Sequence, residues 1–251
     1  MLYYLGLVTA GVFGAIFGSY STLFAYRLPI GESCFGRYFG PKSRCPSCNT
    51  IIRTRELIPI FNWLFTLGKC KTCKVKIPKT YLFIELATTA LFVICYTRFA
   101  FSESFIIFAS LCAASVVIVA TDYSSKSFPN QALNVILIAG LINRVLVDGG
   151  IIDAIFSSSM GIVLATIFYQ LFHKKFSGFI TSEKQSFSYA KFIVIASICL
   201  SPILFLLYFI SICLVLILLL ICGKSLKQTN NGLGFSLVMP FLWLMIYPFQ
   251  I

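Results

Sequence analysis

Residues 203–222 read ILFLLYFISICLVLILLLIC, twenty in a row without a charge. A helix needs about 20 mostly apolar residues to cross a bilayer. This stretch therefore constrains the fold more than any other feature: it belongs in lipid. Seven more stretches share its character, at roughly 2–26, 81–101, 104–121, 131–148, 151–172, 187–201 and 233–250. Several are short or closely spaced. Only 11% of the 251 residues are charged, against about 25% in globular domains. The reading is an all-α polytopic membrane protein with about eight transmembrane helices. The first stretch lacks the charged start of a cleaved signal peptide and reads as a retained helix.

A net charge of +12 suggests nucleic acid until its distribution is considered. Eleven of the twenty Lys and Arg fall in residues 27–80, with only Glu32 and Glu56 against them. Basic residues collect in cytoplasmic loops, so 27–80 is expected in the cytoplasm and the N-terminus outside. Eight alternating spans then also place Lys126, Lys174, Lys175, Lys184, Lys191, Lys224 and Lys227 inside, leaving Arg98 and Arg144 outside. Topology explains the charge more simply than a nucleic-acid surface does. No nucleic-acid partner is expected; the lipid bilayer is.

The basic loop holds the most specific motif. RCPSCNT supplies Cys45 and Cys48, and GKCKTCKVKI supplies Cys70 and Cys73, with twenty-one residues between the pairs. Two such turns facing each other offer four sulfur ligands in a tetrahedron around Zn²⁺. Neighbouring Lys and Arg favour the thiolates, and a reducing cytoplasm disfavours disulfides. Four sulfurs leave no open position, so the expected zinc is structural. A metal-free or redox loop is the other reading. Cys34, Cys95, Cys112, Cys199, Cys213 and Cys222 are scattered, mostly in apolar stretches, and read as small buried residues.

GSYSTLFAYRLP (18–29) followed by SRCPSCNTIIRTRELIPIFNWLFTLGKCKTCKVKIPKTYLFIELATTALF (43–92) resembles the bacterial type IV prepilin peptidases. The shared features are Gly18-Ser19, Arg27-Leu28-Pro29, the two cysteine pairs, Ile58-Pro59, Trp63-Leu64, Gly68 and Glu85. Thr22 stands where that pattern usually has Asn. The resemblance implies an inner-membrane aspartyl protease fold in three parts. These are a first transmembrane helix (1–26), a cytoplasmic zinc-ribbon-like domain built on four cysteines (27–80) and a seven-helix membrane domain (81–251). It also implies action on pilin or pseudopilin precursors of type IV pilus or type II secretion systems. Such enzymes cut a short basic leader, and many then methylate the new N-terminus with S-adenosylmethionine.

Hydrolysis by such enzymes uses two carboxylates close enough to share a proton, one activating water and one protonating the leaving amine. Asp122, in VATDYSSKSFPN, closes an apolar stretch on the cytoplasmic side. By itself it reads equally as an ordinary interfacial acid. The resemblance assigns it the first catalytic position, with Asn130 where the pattern usually has Asp. The second position lies in a Gly-x-Gly-Asp-x-Lys element, for which TSEKQSFSYAKF (181–192) is the only candidate. Lys191 fits the Lys, Ser186 and Ser188 stand at the glycines, and Tyr189 stands at the aspartate. A phenol, with pKa near 10, is a poor general base at neutral pH. Glu183 is the one nearby acid that offers a substitute, nearly two helical turns away at about 9 Å along an axis.

The expected function is therefore that of a non-catalytic homologue that binds pilin-like subunits or assists their assembly. The alternatives are an active leader peptidase pairing Asp122 with Glu183, and a homologue retaining only methyltransferase activity.

Overall fold

The computed structural model describes residues 1–34, 42–45, 47–145, 151–175, 183–221 and 234–247. Among them the longer elements are all helices: α1 (Leu2–Arg27), α2 (Phe61–Phe65), α3 (Lys79–Phe99), α4 (Glu103–Ser125), α5 (Asn130–Asn143), α6 (Ile151–Lys175), α7 (Glu183–Cys199), α8 (Pro202–Ile221) and α9 (Gly234–Ile246). Segments rich in Ile, Val and Phe favour strands in water. In lipid an unpaired backbone amide costs several kcal/mol, so a segment must satisfy its own hydrogen bonds as a helix.

Eight of these helices lie where the eight apolar stretches predict them. Among the described residues α1, α3, α4 and α6 are long and apolar enough to cross a membrane, and α8 is apolar over its described part, Pro202–Ile217. At 1.5 Å per residue, α5, α7 and α9 (14, 17 and 13 residues) run about 20–26 Å, less than the ~30 Å hydrocarbon core. The eight apolar stretches thus give, among the described residues, four candidate spans and a set of shorter apolar helices.

The chain forms two compact units, Met1–Phe105 and Ile106–Ile251. In the first, α1 pairs with α3 through small residues. Gly6, Ala10, Gly14 and Gly18 recur every fourth position and are buried. A Cβ on Gly14 would lie 2.7 Å from the Thr89 Cα, and one on Gly18 2.8 Å from the Glu85 Cα. Only glycine lets the two backbones approach this closely, as is common for helices packing in lipid. Two isolated antiparallel bridges, Arg44↔Ile51 and Lys69↔Lys76, shape the loop between these helices.

In the second unit α7 is central. Phe192, Ile193 and Ala196 are fully buried. A Cβ on Gly140 of α5 or on Gly161 of α6 would collide with Cys199 or Ser197 of α7 respectively. The sixth apolar stretch, expected to start near residue 187, is helical from Glu183. Glu, Lys and Gln at 183–185 are good helix formers, and Ser at 186 and 188 is less costly in a helix than Gly by a few tenths of a kcal/mol each. The helix therefore runs through the polar island rather than beginning after it.

Candidate functional site

Asp122 sits in the last turn of α4 and is only 1% exposed. Three donors from two other helices converge on its carboxylate. The Tyr189 hydroxyl of α7 lies 3.0 Å from Oδ1 and 3.2 Å from Oδ2. The Gln185 amide, one turn earlier on α7, donates to Oδ1 at 3.3 Å and to the Tyr189 oxygen at 2.7 Å. The Gly234 N–H, at the start of α9, donates to Oδ2 at 2.8 Å. Tyr189 and Gln185 are 1% and 4% exposed, so the cluster is closed to solvent.

Each contact has a local cause. Residues 185 and 189 are four apart, so both side chains project from one helix face. Gly234 opens α9, where N–H groups lack intrahelical acceptors, and a carboxylate at that end is favoured by the helix dipole. A Cβ at position 234 would lie 2.8 Å from Asp122 Oδ2. Only glycine allows the carboxylate to reach the backbone there. Phe128 stacks edge-on against Tyr189 at 5.3 Å between ring centroids and fixes the phenol.

The structure thus brings Asp122 and Tyr189 into direct contact, two residues that the resemblance places at the paired catalytic positions. Glu183 is the first residue of α7, two positions before Gln185; its side chain lies outside the described residues. Ser186 and Ser188 are buried at 2% and 8% exposure. Lys191 meets Asn130, its Nζ donating to Asn130 Oδ1 at 3.3 Å, and lies 4.6 Å above the Phe187 ring. Thr22 turns its hydroxyl back onto the Ser19 carbonyl at 2.6 Å. Sequence reasoning singles out neither Gln185 nor Gly234. Gln185 has a faint signal, its i, i+4 spacing from Tyr189; Gly234 has none.

The cluster surrounds one carboxylate with hydrogen-bond donors from α7 and α9. Asp122 accepts three hydrogen bonds, and no second carboxylate reaches it among the described side chains. Beside it, α5, α6 and α7 border an open groove of about 610 Å³, lined by Leu133, Ile162, Ala165, Thr166, Phe187 and Val194 among others, with Asn130 and Lys191 contributing polar groups.

In the other unit, the four loop cysteines converge. Their sulfurs all lie within 4.8 Å of one another, and Cys45 Sγ is 3.7 Å from Cys73 Sγ. Four sulfurs about 2.3 Å from a central Zn²⁺ would be about 3.8 Å apart. The two turns match. Cys45 N–H donates to Thr50 O and Asn49 N–H to Cys45 O; Cys70 N–H donates to Val75 O and Lys74 N–H to Cys70 O. Asn49 and Lys74, four residues past the first Cys of each pair, both take positive φ, 55° and 61°. The Thr50 hydroxyl and then its N–H hold the Cys48 thiol down at about 6. Val75 N–H favours the Cys73 thiolate, but desolvation and the three neighbouring sulfurs push that thiol up to about 11. Four sulfurs this close could hold a metal ion, and the donor set fits a tetrahedral thiolate metal.

Residues 12–99 match the model described as the bacterial peptidase A24 N-terminal domain. A prepilin leader peptidase/N-methyltransferase of Bacillus subtilis (strain 168) is 36% identical over 125 residues, 49% of this chain and 48% of that protein. A type 4 prepilin-like proteins leader peptide-processing enzyme of Escherichia coli O78:H11 is 32% identical over 155 residues, 54% and 55% of the two chains. A prepilin leader peptidase/N-methyltransferase of Stutzerimonas stutzeri is 28% identical over 214 residues, 76% and 71% of the two. The chain spans about half the length of the first two relatives. No solved structure matches it.

Proposed function

The chain belongs to the type IV prepilin peptidase family, and on that premise we propose that it binds pilin-like subunits in the membrane without cleaving their leaders. The observation that carries this reading is the phenol of Tyr189 against both oxygens of Asp122. A second carboxylate there would share a proton with Asp122 and leave a place for water. The phenol instead donates to Asp122, and Gln185 and Gly234 take up the remaining acceptor capacity. Asp122 becomes the polar pin of α4, α7 and α9.

The groove beside it supplies the binding function. Its apolar lining suits a row of side chains on a hydrophobic helix, and the chain's polar groups Asn130 and Lys191 lie on it. In this reading the cysteine loop holds a structural Zn²⁺ through Cys45, Cys48, Cys70 and Cys73, on the cytoplasmic side of the inner membrane. The metal contributes only a closed tetrahedral crosslink between the two turns.

The test is co-expression with a candidate prepilin in a host lacking other prepilin peptidases. The pilin N-terminus is read by mass spectrometry, and the complex is sought by co-purification. The expected result is an intact leader and a bound pilin, with binding reduced by Thr166→Trp, which projects an indole from an exposed position of the groove lining. Leader removal overturns the non-catalytic reading. An intact leader with no bound pilin overturns the binding role.

A further inference from the structure

We propose that residues 57–67, centred on α2, insert into the headgroup–acyl boundary of an anionic bilayer and hold the cysteine loop against the membrane surface. Over eleven residues, six large apolar side chains are exposed: Leu57 41%, Ile58 53%, Phe61 57%, Leu64 50%, Phe65 83% and Leu67 79%. So dense an apolar patch on a polar, lysine-rich loop marks a contact surface. Phe61 and Phe65 stack on each other at 6.3 Å between centroids and form one ridge.

The depth of this ridge is set by a single bond. Ile60 N–H donates to Glu85 Oε2 at 2.6 Å. Glu85 lies six residues past Lys79, the first residue of α3, a candidate membrane span. That is about 9 Å along the helix axis. The ridge therefore lies beside the first turns of a spanning helix, not out in water. Phe83 and Leu86, which flank Glu85 on α3, are themselves 64% and 43% exposed, so the apolar surface of the span runs on into the ridge.

The backbone is strained to achieve this placement. Ile60 is β-branched yet adopts φ 63°, ψ −57°, with Phe61 N–H bonded to Pro59 O across it. Such a γ-turn is rare and costly, and the Glu85 carboxylate holds it. Beneath the ridge, the indole of Trp63 covers Gly68, where a Cβ would lie 2.6 Å from the ring.

Charge identifies the occupant. Lys69, Lys74, Lys76 and Lys79 are exposed beside the ridge, and the ion pairs of the described residues in this loop engage only Lys71, with Glu56, and Arg27, with Glu32. An apolar ridge flanked by lysines fits lipid whose headgroups are anionic.

The experiment uses the full-length protein in lipid nanodiscs containing phosphatidylglycerol. Phe65→Trp is introduced in a Trp243→Phe background, with Trp63 present in both the variant and its reference. The added indole is expected to emit at shorter wavelength than in water and to be quenched several-fold more by lipid brominated near the headgroup end than by aqueous acrylamide. Leu67→Trp serves as a second reporter should Phe65→Trp fold poorly. An indole at either position that is quenched by acrylamide and untouched by bromolipid overturns the proposal, and is the result expected if a protein partner covers the ridge in the cell. Neither outcome depends on whether the chain binds or cleaves pilins.

Discussion

Removing one oxygen atom, in Tyr189→Phe, tests how Asp122 is held. The ring stays, Phe128 keeps its edge contact, and only the hydroxyl is lost. Asp122 keeps Gln185 at 3.3 Å and the Gly234 N–H at 2.8 Å, and Gln185 keeps Asp122 as an acceptor. No buried group is left wholly unpaired, so the penalty of an orphaned charge, about 3–5 kcal/mol, does not apply. Two ranges bracket what does. Hydrogen bonds to charged groups contribute about 1.5–3 kcal/mol, whereas interhelical bonds in membranes average about 0.6 and reach about 1.7. The Tyr189 bond reaches both oxygens of a carboxylate closed to solvent, so the overlap applies, about 1.5 kcal/mol, or roughly tenfold in the folded-to-unfolded ratio. The assay is reversible SDS unfolding of the full chain in mixed micelles, run as a double-mutant cycle with Asp122→Asn. A coupling energy above about 1 kcal/mol is expected from partners in direct contact. A Tyr189→Phe variant within about 0.5 kcal/mol of the parent, or a coupling near zero, refutes the view that the phenol pins Asp122.

Gly234→Ala brings a Cβ to 2.8 Å from Asp122 Oδ2 and is expected to destabilise by about 1–3 kcal/mol, as overpacking does; the same unfolding assay reads it. Gly14→Ala is expected to weaken α1–α3 pairing by a similar amount, because its Cβ meets the Thr89 backbone at 2.7 Å. Gly11→Ala, whose Cβ has only ordinary contacts at 3.7 and 4.0 Å, is the control, expected to be neutral or stabilising by up to about 1 kcal/mol. The purified protein is expected to carry one zinc per chain by elemental analysis, and Cys70→Ser to lose most of it. Chelation is expected to expose residues 42–80 to protease while leaving the membrane helices intact; a loop equally resistant with and without metal refutes a structural role.

Much of this protein is legible in one dimension. Long apolar stretches dictate helices because lipid offers a backbone no other partner, so the eight stretches reappear as α1 and α3–α9. The C-x-x-C pairs carry their geometry in their spacing, and their sulfurs meet within 4.8 Å. Asp122 and Tyr189 are marked by their places in a family pattern, and they stand 3.0 Å apart across sixty-seven residues of chain. The start of α7 is less legible, since hydropathy marks the apolar part of a helix and is blind to a polar first turn such as EKQS.

What each of these residues touches depends on how segments far apart in the chain pack together. The Gly234 N–H lies 112 positions from Asp122, and no local pattern marks a backbone donor. Gln185 looks like any surface amide until α4 closes over it. The glycine stripe of α1 names a face for close packing, and the structure names α3 as the helix that fills it. The exposed ridge at 57–67 reads in the sequence like any apolar turn, because burial is a property of neighbours. Sequence sets which groups must find partners; the fold alone sets which partner each one finds, because that depends on distances between segments that the chain order does not encode.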